Sequence, residues 1–189
     1  METERVIRER RSIRKYLDKK IPKETLEELV ELANWAPSPS SAENRNFLII
    51  TNEETKKRIL EASGKQFYDP PVIVVVASNK EWMKKEGFKK RCAKWEISDD
   101  ETIERHFGEW VELWGVQDAA VATENLLLAA WNRGIGSCWL GVFEEDKIRK
   151  ILNIPDGYSV TAIVTLGYFD KTHEGKRKNP NELIHWDMW

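Results

Sequence analysis

Residues 117–141 read QDAAVATENLLLAAWNRGIGSCWLG, and this stretch decides the fold. Ala119, Ala120, Val121, Ala122, Leu126, Leu127, Leu128, Ala129 and Ala130 leave almost no polar face on a helix over Gln117–Arg133, so the helix belongs inside the protein. Gly134 stands where the left-handed backbone of a helix C-terminus is needed. Gly136–Leu140 then reads as a short strand. A core helix running straight into a strand calls for other strands beside it. Upstream, Pro71–Ala77 is Val-rich and reads as a strand buried on both faces. Downstream, Tyr158–Phe169 (YSVTAIVTLGYF) reads as a long strand. Strands of this kind need cover on both sides, which predicts helices and strands in layers.

The remaining elements fit around that centre. Leu26, Leu29, Val30 and Ala33 recur at i, i+3, i+4 and i+7, which predicts an amphipathic helix over residues 24–35 that ends before Pro37 and Pro39. Pro37–Ala42 is a Ser/Pro loop, and Phe47–Thr51 is β-like. Thr51 and Glu54 have capping-box spacing, which predicts a helix through about Ala62. Another helix is expected over Glu144–Leu152, stopping before Pro155. Residues 80–115 carry Trp82, Trp95, Trp110 and Trp114 among many charges and read as helical. The tail from Lys171 is first basic and then aromatic.

The chain's 189 residues suit one domain with a sizeable core. Its 41% hydrophobic content excludes a disordered chain. Lys+Arg 30 against Asp+Glu 32 gives a net charge of −2, so no global field favours nucleic acid or an anionic membrane, and neither is expected as a partner. Cys92 and Cys138 have no metal-ligand spacing, the three histidines are scattered, and no metal site is expected. The charged N-terminus lacks a signal peptide's apolar core, and the longest apolar run is too short to span a bilayer. Cytoplasmic residence is the expectation.

Four segments could carry chemistry, and each also has a plain structural use. Arg8–Lys15 (RERRSIRK) offers guanidinium forks and a hydroxyl for a phosphate, or simply a solvated helix face. Ala36–Glu43 (APSPSSAE) could bring backbone N–H groups, serines and a carboxylate to a polar ring, or connect a helix to a strand. Gly134–Gly141 could let a planar ligand approach, although capping and burial explain Gly134 and Gly136 better than Gly141. It has no Gly-x-Gly-x-x-Gly spacing and follows a helix, so it is no dinucleotide fingerprint. Lys176-Arg177-Lys178 could be a second phosphate clamp or a basic loop. Cys138, in apolar surroundings, reads as an inert thiol. No side chain stands out as a catalyst, which suits an enzyme whose cofactor carries the chemistry.

Taken in order, the segments resemble the nitroreductase family of FMN-dependent oxidoreductases, from Glu4 to Trp186. The resemblance rests on Arg10-Arg11-Ser12-Ile13-Arg14, Ala36-Pro37-Ser38, Leu126–Ala130 with Gly134–Gly141, Ile151–Gly157 with Leu166-Gly167-Tyr168, and Arg177–Trp186. It implies an α+β fold of three layers, a mixed central β-sheet flanked by helices, with a C-terminal extension packing on the partner subunit. It implies one domain over residues 1–189, with the Trp-rich segment at about 80–115 as a helical insert over the pocket mouth, its aromatic rings stacking on a planar substrate or, at least as readily, packing a core. It implies FMN as cofactor at the interface of a homodimer, NAD(P)H as donor, and a small planar acceptor of nitroaromatic or quinone type. The related alternatives are a dehalogenase or dehydrogenase, and a flavin-binding or sensing protein without turnover. Arg10, Arg11, Ser12, Arg14, Lys176, Arg177 and Lys178 are the residues implied for the phosphate side. Pro37, Ser38, Ser40, Ser41, Glu43, Leu140 and Gly141 are those implied for the ring side, the last two through their backbone. One departure stands out. Many relatives continue Ala-Pro-Ser with Asn-x-Gln-Pro-Trp, where this chain has Ser41, Ala42, Glu43, Asn44 and Arg45. A carboxylate at Glu43 would disfavour an anionic reduced flavin and lower its potential.

Overall fold

The computed structural model describes residues 3–66, 68–94, 96–97 and 99–189, without the side chains of Ser40, Lys85 and Asp100. Trp95 and the Ser40 side chain, both singled out above, therefore lie outside the described residues. Six helices are described: α1 (Thr3–Glu9), α2 (Lys23–Asn34), α3 (Glu53–Ala62), α4 (Lys85–Ala93), α5 (Asp100–Asn132) and α6 (Glu145–Leu152). The strands are β1 (Arg45–Ile50), β2 (Val72–Asn79), β3 (Ile135–Leu140) and β4 (Tyr158–Tyr168).

The four strands form one sheet in the order β1-β2-β4-β3, with every neighbouring pair antiparallel. A parallel component enters only through a single bridge, Ser12 to Ser137. The sheet is therefore mixed only where the N-terminal segment lies along edge strand β3. β2 and β4 are the inner strands, and Val72–Ala77 is buried throughout. Alternation along the pleat sends Val72, Val74 and Val76 of β2, with Ala162, Val164 and Leu166 of β4, toward α2 and α5. It sends Ile73, Val75 and Ile163 toward Ile59 and Leu60 of α3 and Ile148 of α6. The result is helix, sheet, helix: the α+β architecture in three layers.

Strand ends shift by one or two residues, and two helix starts differ more instructively from the sequence expectation. The core helix begins at Asp100 rather than Gln117, so α5 has 33 residues and a length of about 50 Å. Its first half builds a satellite core with α4, in which Trp82, Trp110 and Trp114 gather around the fully buried Phe88. The ring of Phe88 lies 5.8 Å from Trp110 and 6.1 Å from Trp114, and Trp82 Nε1 donates to the Val111 carbonyl at 3.1 Å. These three tryptophans are thus committed to packing. At α3 the N-cap is Asn52, whose side chain accepts from the Thr55 backbone N–H at 2.9 Å, one residue beyond the expected Thr51 cap.

The N-terminal segment is bound to the sheet by a facing glycine pair. Gly136 of β3 stands opposite Gly167 of β4. A Cβ at Gly136 would lie 2.7 Å from Ile13, and one at Gly167 would lie 2.6 Å from the Tyr16 ring. The close approach at Gly136 is therefore made by Ile13 and Phe169 of this chain. Tyr16 donates its hydroxyl proton to the Ile13 carbonyl at 2.6 Å and lies 2.6 Å from Thr165 Oγ1 on β4.

Candidate functional site

Arg10, Arg11, Ser12 and Arg14 leave the end of α1 and meet His173, Glu174, Gly175, Lys176 and Arg177 around a cavity of about 250 Å³. The two basic segments, more than 150 residues apart in sequence, converge within one chain. Lys178 follows them along the chain but does not line this cavity.

The donors here are not all used. Arg10 Nε is buried without a hydrogen bond; its nearest acid, Glu124 of α5, sits at 3.4 Å, an ion contact without bonding geometry. Arg11 Nε is likewise buried and unpaired. So is Ser137 Oγ, on the strand residue bridged to Ser12. Buried donors left unpaired are costly, and two of them belong to Arg10 and Arg11 of the cavity lining, where clustered cations suit an oxyanion. The guanidinium of Arg11 is partly spoken for: its Nη1 donates to the carbonyls of Arg8 and Arg10 at 2.6 and 2.7 Å, capping the end of α1. Beneath the cluster Cys138 is buried, and burial pushes its thiol up against the opposing pull of Arg14, so it is no nucleophile.

The residues expected on the ring side lie elsewhere. Pro39–Ser41 form a single 3₁₀ turn, and Ser41 and Glu43 both take positive φ, 55° and 45°. Such angles persist in residues other than glycine only when surroundings impose them. The entry to this turn is anchored by Arg45, which the sequence reading did not single out. Its buried guanidinium pairs with Asp118 of α5 at 2.5 Å and donates to the carbonyls of Asn34, Ala36 and Pro37 and to the Asn34 side chain. Arg45 thereby closes the end of α2 and fixes where the loop starts. Asp118 is fully buried, and burial raises its carboxyl while the Arg45 charge lowers it. Within the loop, the Glu43 N–H donates to Ser38 Oγ at 3.1 Å, and the Glu43 carboxylate accepts from the Asn34 side chain at 3.3 Å. Leu140 turns its side chain into the core against α3 and α6 and is buried, and a Cβ at Gly141 would meet nothing within 4 Å.

α5 relates the two groups. Glu124 lies against Arg10, and Asp118 pairs with Arg45 at the start of the loop. Six helical residues separate them by about 9 Å along the axis and about 120° around it. The loop and the cavity therefore occupy different sides of α5.

A family model described as "Nitroreductase family" matches residues 7–168, nearly the whole of this architecture. The chain belongs to the nitroreductase family. A protein of Archaeoglobus fulgidus provisionally named NADH dehydrogenase/NAD(P)H nitroreductase is 32% identical, over 98% of this chain and 97% of its own. An iodotyrosine deiodinase of Thermotoga neapolitana is 29% identical over 94% and 92%. In three dimensions, a crystal structure of a nitroreductase family protein of Clostridium difficile 630 superposes with a TM-score of 0.78, at 22% identity and full coverage of both chains. Among the described residues, no group of His, Cys, Asp and Glu could hold a metal, and no helix is long and apolar enough to cross a membrane.

Proposed function

We propose that this nitroreductase is an FMN-dependent, NAD(P)H-consuming oxidoreductase that works as a homodimer. The observation that carries the proposal is the convergence of Arg10, Arg14, Lys176 and Arg177 on one cavity edged by buried, unpaired donors. That arrangement suits a phosphate monoester, whose dianion would accept from the guanidinium forks and the Ser12 hydroxyl. Arg10, Ser12, Arg14, Lys176 and Arg177 would hold FMN there, and its ring would supply the redox chemistry between NAD(P)H and a small planar acceptor, a nitroaromatic or a quinone. The protein's part is to grip the phosphate and set the electrostatics over the ring. Ser38, Ser41, Glu43 and the open backbone at Gly141 are assigned to the ring side, supplied by the second copy because they lie on another side of α5.

The tail supports a second copy. Trp186 is 84% exposed and Trp189 fully so, and Val116 and Val121 present apolar surface on α5. Bare tryptophans on an isolated chain suit burial against a partner. Cytoplasmic residence goes with this reading.

The test is direct. The purified protein should carry a flavin absorbance spectrum, bleach anaerobically on addition of NADH or NADPH, and recolour with a nitroaromatic or quinone. Arg10→Ala with Arg177→Ala should lose the flavin while keeping the fold by circular dichroism. A colourless protein that refuses added FMN would sink the proposal. The kinship with an iodotyrosine deiodinase favours one alternative acceptor, a halogenated phenol. There two electrons and a proton would replace the carbon–halogen bond with C–H and release halide, which an ion-selective electrode measures.

A further inference from the structure

We propose that Gly175 is a positioning residue: it seats the C-terminal segment on Arg11 and so holds Lys176 and Arg177 at the anion cavity. The proposal rests on the assignment of that cavity to the FMN phosphate. From Asp170 to Trp189 every residue is exposed except Gly175. Gly175 is therefore the most covered residue of the segment, and it lies immediately before the two cations. What it touches is the Arg11 guanidinium. A Cβ built on Gly175 would lie 2.5 Å from both Cζ and Nε of Arg11 and 2.8 Å from Nη2. The backbone at Gly175 is not among the positive-φ glycines, Gly64 and Gly134, so the absence of a side chain answers a need for space, not for a special turn.

Arg11 cannot simply step aside. Two carbonyls at the end of α1 hold its Nη1, and its Nε is buried. A planar guanidinium held flat gives a bare peptide a surface to lie on, and a methyl group would fill that contact. Either the segment lifts or Arg11 gives up its two bonds. In both cases Lys176 and Arg177 move relative to Arg10 and Ser12. Arg11 thereby acts through Gly175, as the seat of the clamp more than as one of its jaws.

The experiment compares FMN with riboflavin, which has the same ring without the phosphate. Dissociation constants are measured by flavin fluorescence for the full-length wild type, Gly175→Ala, Arg11→Ala and the double variant. Gly175→Ala should weaken FMN about tenfold, the loss of one charge-assisted contact, and leave riboflavin unchanged. The two substitutions break the same contact, so the double variant should be no weaker than the worse single one. Equal weakening of FMN and riboflavin, or no change in FMN, would overturn the seat. Effects that add in full would overturn it too. Failure of wild-type protein to bind FMN would instead remove the assignment of the cavity, which separates the two claims.

Discussion

The Arg45–Asp118 pair and Glu43 set the properties of the loop after α2 in different ways. Arg45 and Asp118 form a buried pair whose members have no exposed surface. Removing one charge strands the other in a dry environment, which costs about 3–5 kcal/mol. Asp118→Asn is therefore expected to lower the melting temperature on the order of 10 °C by scanning calorimetry. Replacing both partners with apolar residues of similar volume should restore much of the stability, but not the anchoring of the end of α2, because the carbonyls of Asn34, Ala36 and Pro37 lose their donor. A double variant as unstable as Asp118→Asn would refute the pairing argument. Glu43 stands where many relatives carry a neutral amide, and its carboxylate is steered by Asn34. Glu43→Gln removes a negative charge from the ring side while keeping an acceptor for that bond. An exposed charge contributes about 0.5–1 kcal/mol, which over two electrons amounts to roughly 10–20 mV. The flavin midpoint potential of Glu43→Gln should rise by that amount in a dye-equilibration titration, and an unchanged or lower potential would contradict the role.

At the scale of elements, legibility follows from how local each cause is. The buried run Val72–Val76, the long strand Tyr158–Tyr168, the periodicity of Leu26, Leu29 and Ala33, and the stop at Gly134 are statements about neighbouring residues, and all correspond to elements found. The start of α5 was not legible. Its first half is amphipathic toward α4, not toward the sheet, so its charges and tryptophans obscured a helix continuous with the apolar half. Arg45 and Asp118 were missed for a similar reason: 73 residues separate them, and neither has a local signature. The arginine and lysine clusters pointed toward a shared anion only through their order along the chain, and their common cavity is a tertiary fact. The docking of the N-terminal segment is equally tertiary and can be tested through Tyr16. Burial lifts its hydroxyl well above the ordinary value of 10, against the pull of Thr165. A folded value raised above the unfolded one stabilises fully below pH 10, and that contribution is lost as pH climbs past 10. Tyr16→Phe should cost about 1 kcal/mol at neutral pH and flatten the alkaline limb of the stability profile. An alkaline limb as steep as that of the wild type would place the titrating group elsewhere.

At the scale of the whole molecule, the decisive relation is the turn of α5 between Asp118 and Glu124. If one FMN needs the arginine cavity from one chain and the serine loop from another, neither half suffices alone and the two defects can complement. Consider a chain with Arg10→Ala and Arg177→Ala, and another with Ser38→Trp, which fills the loop. Each homodimer should bind no FMN. A heterodimer contains one site built from the intact cavity of the second chain and the intact loop of the first, and one site with both defects. Co-expression with two affinity tags should therefore give a heterodimer of about 44 kDa, twice the 22.1 kDa chain, holding one FMN instead of two. A site contained within one chain predicts a different outcome, because mixing could then rescue nothing. Removing residues 183–189, with Trp186 and Trp189, should shift light scattering toward the monomer and release flavin in parallel. Flavin retained on a scattering-pure monomer would show that one chain builds the whole site, and the helix geometry would then have to be satisfied by movement of the loop instead of by a partner.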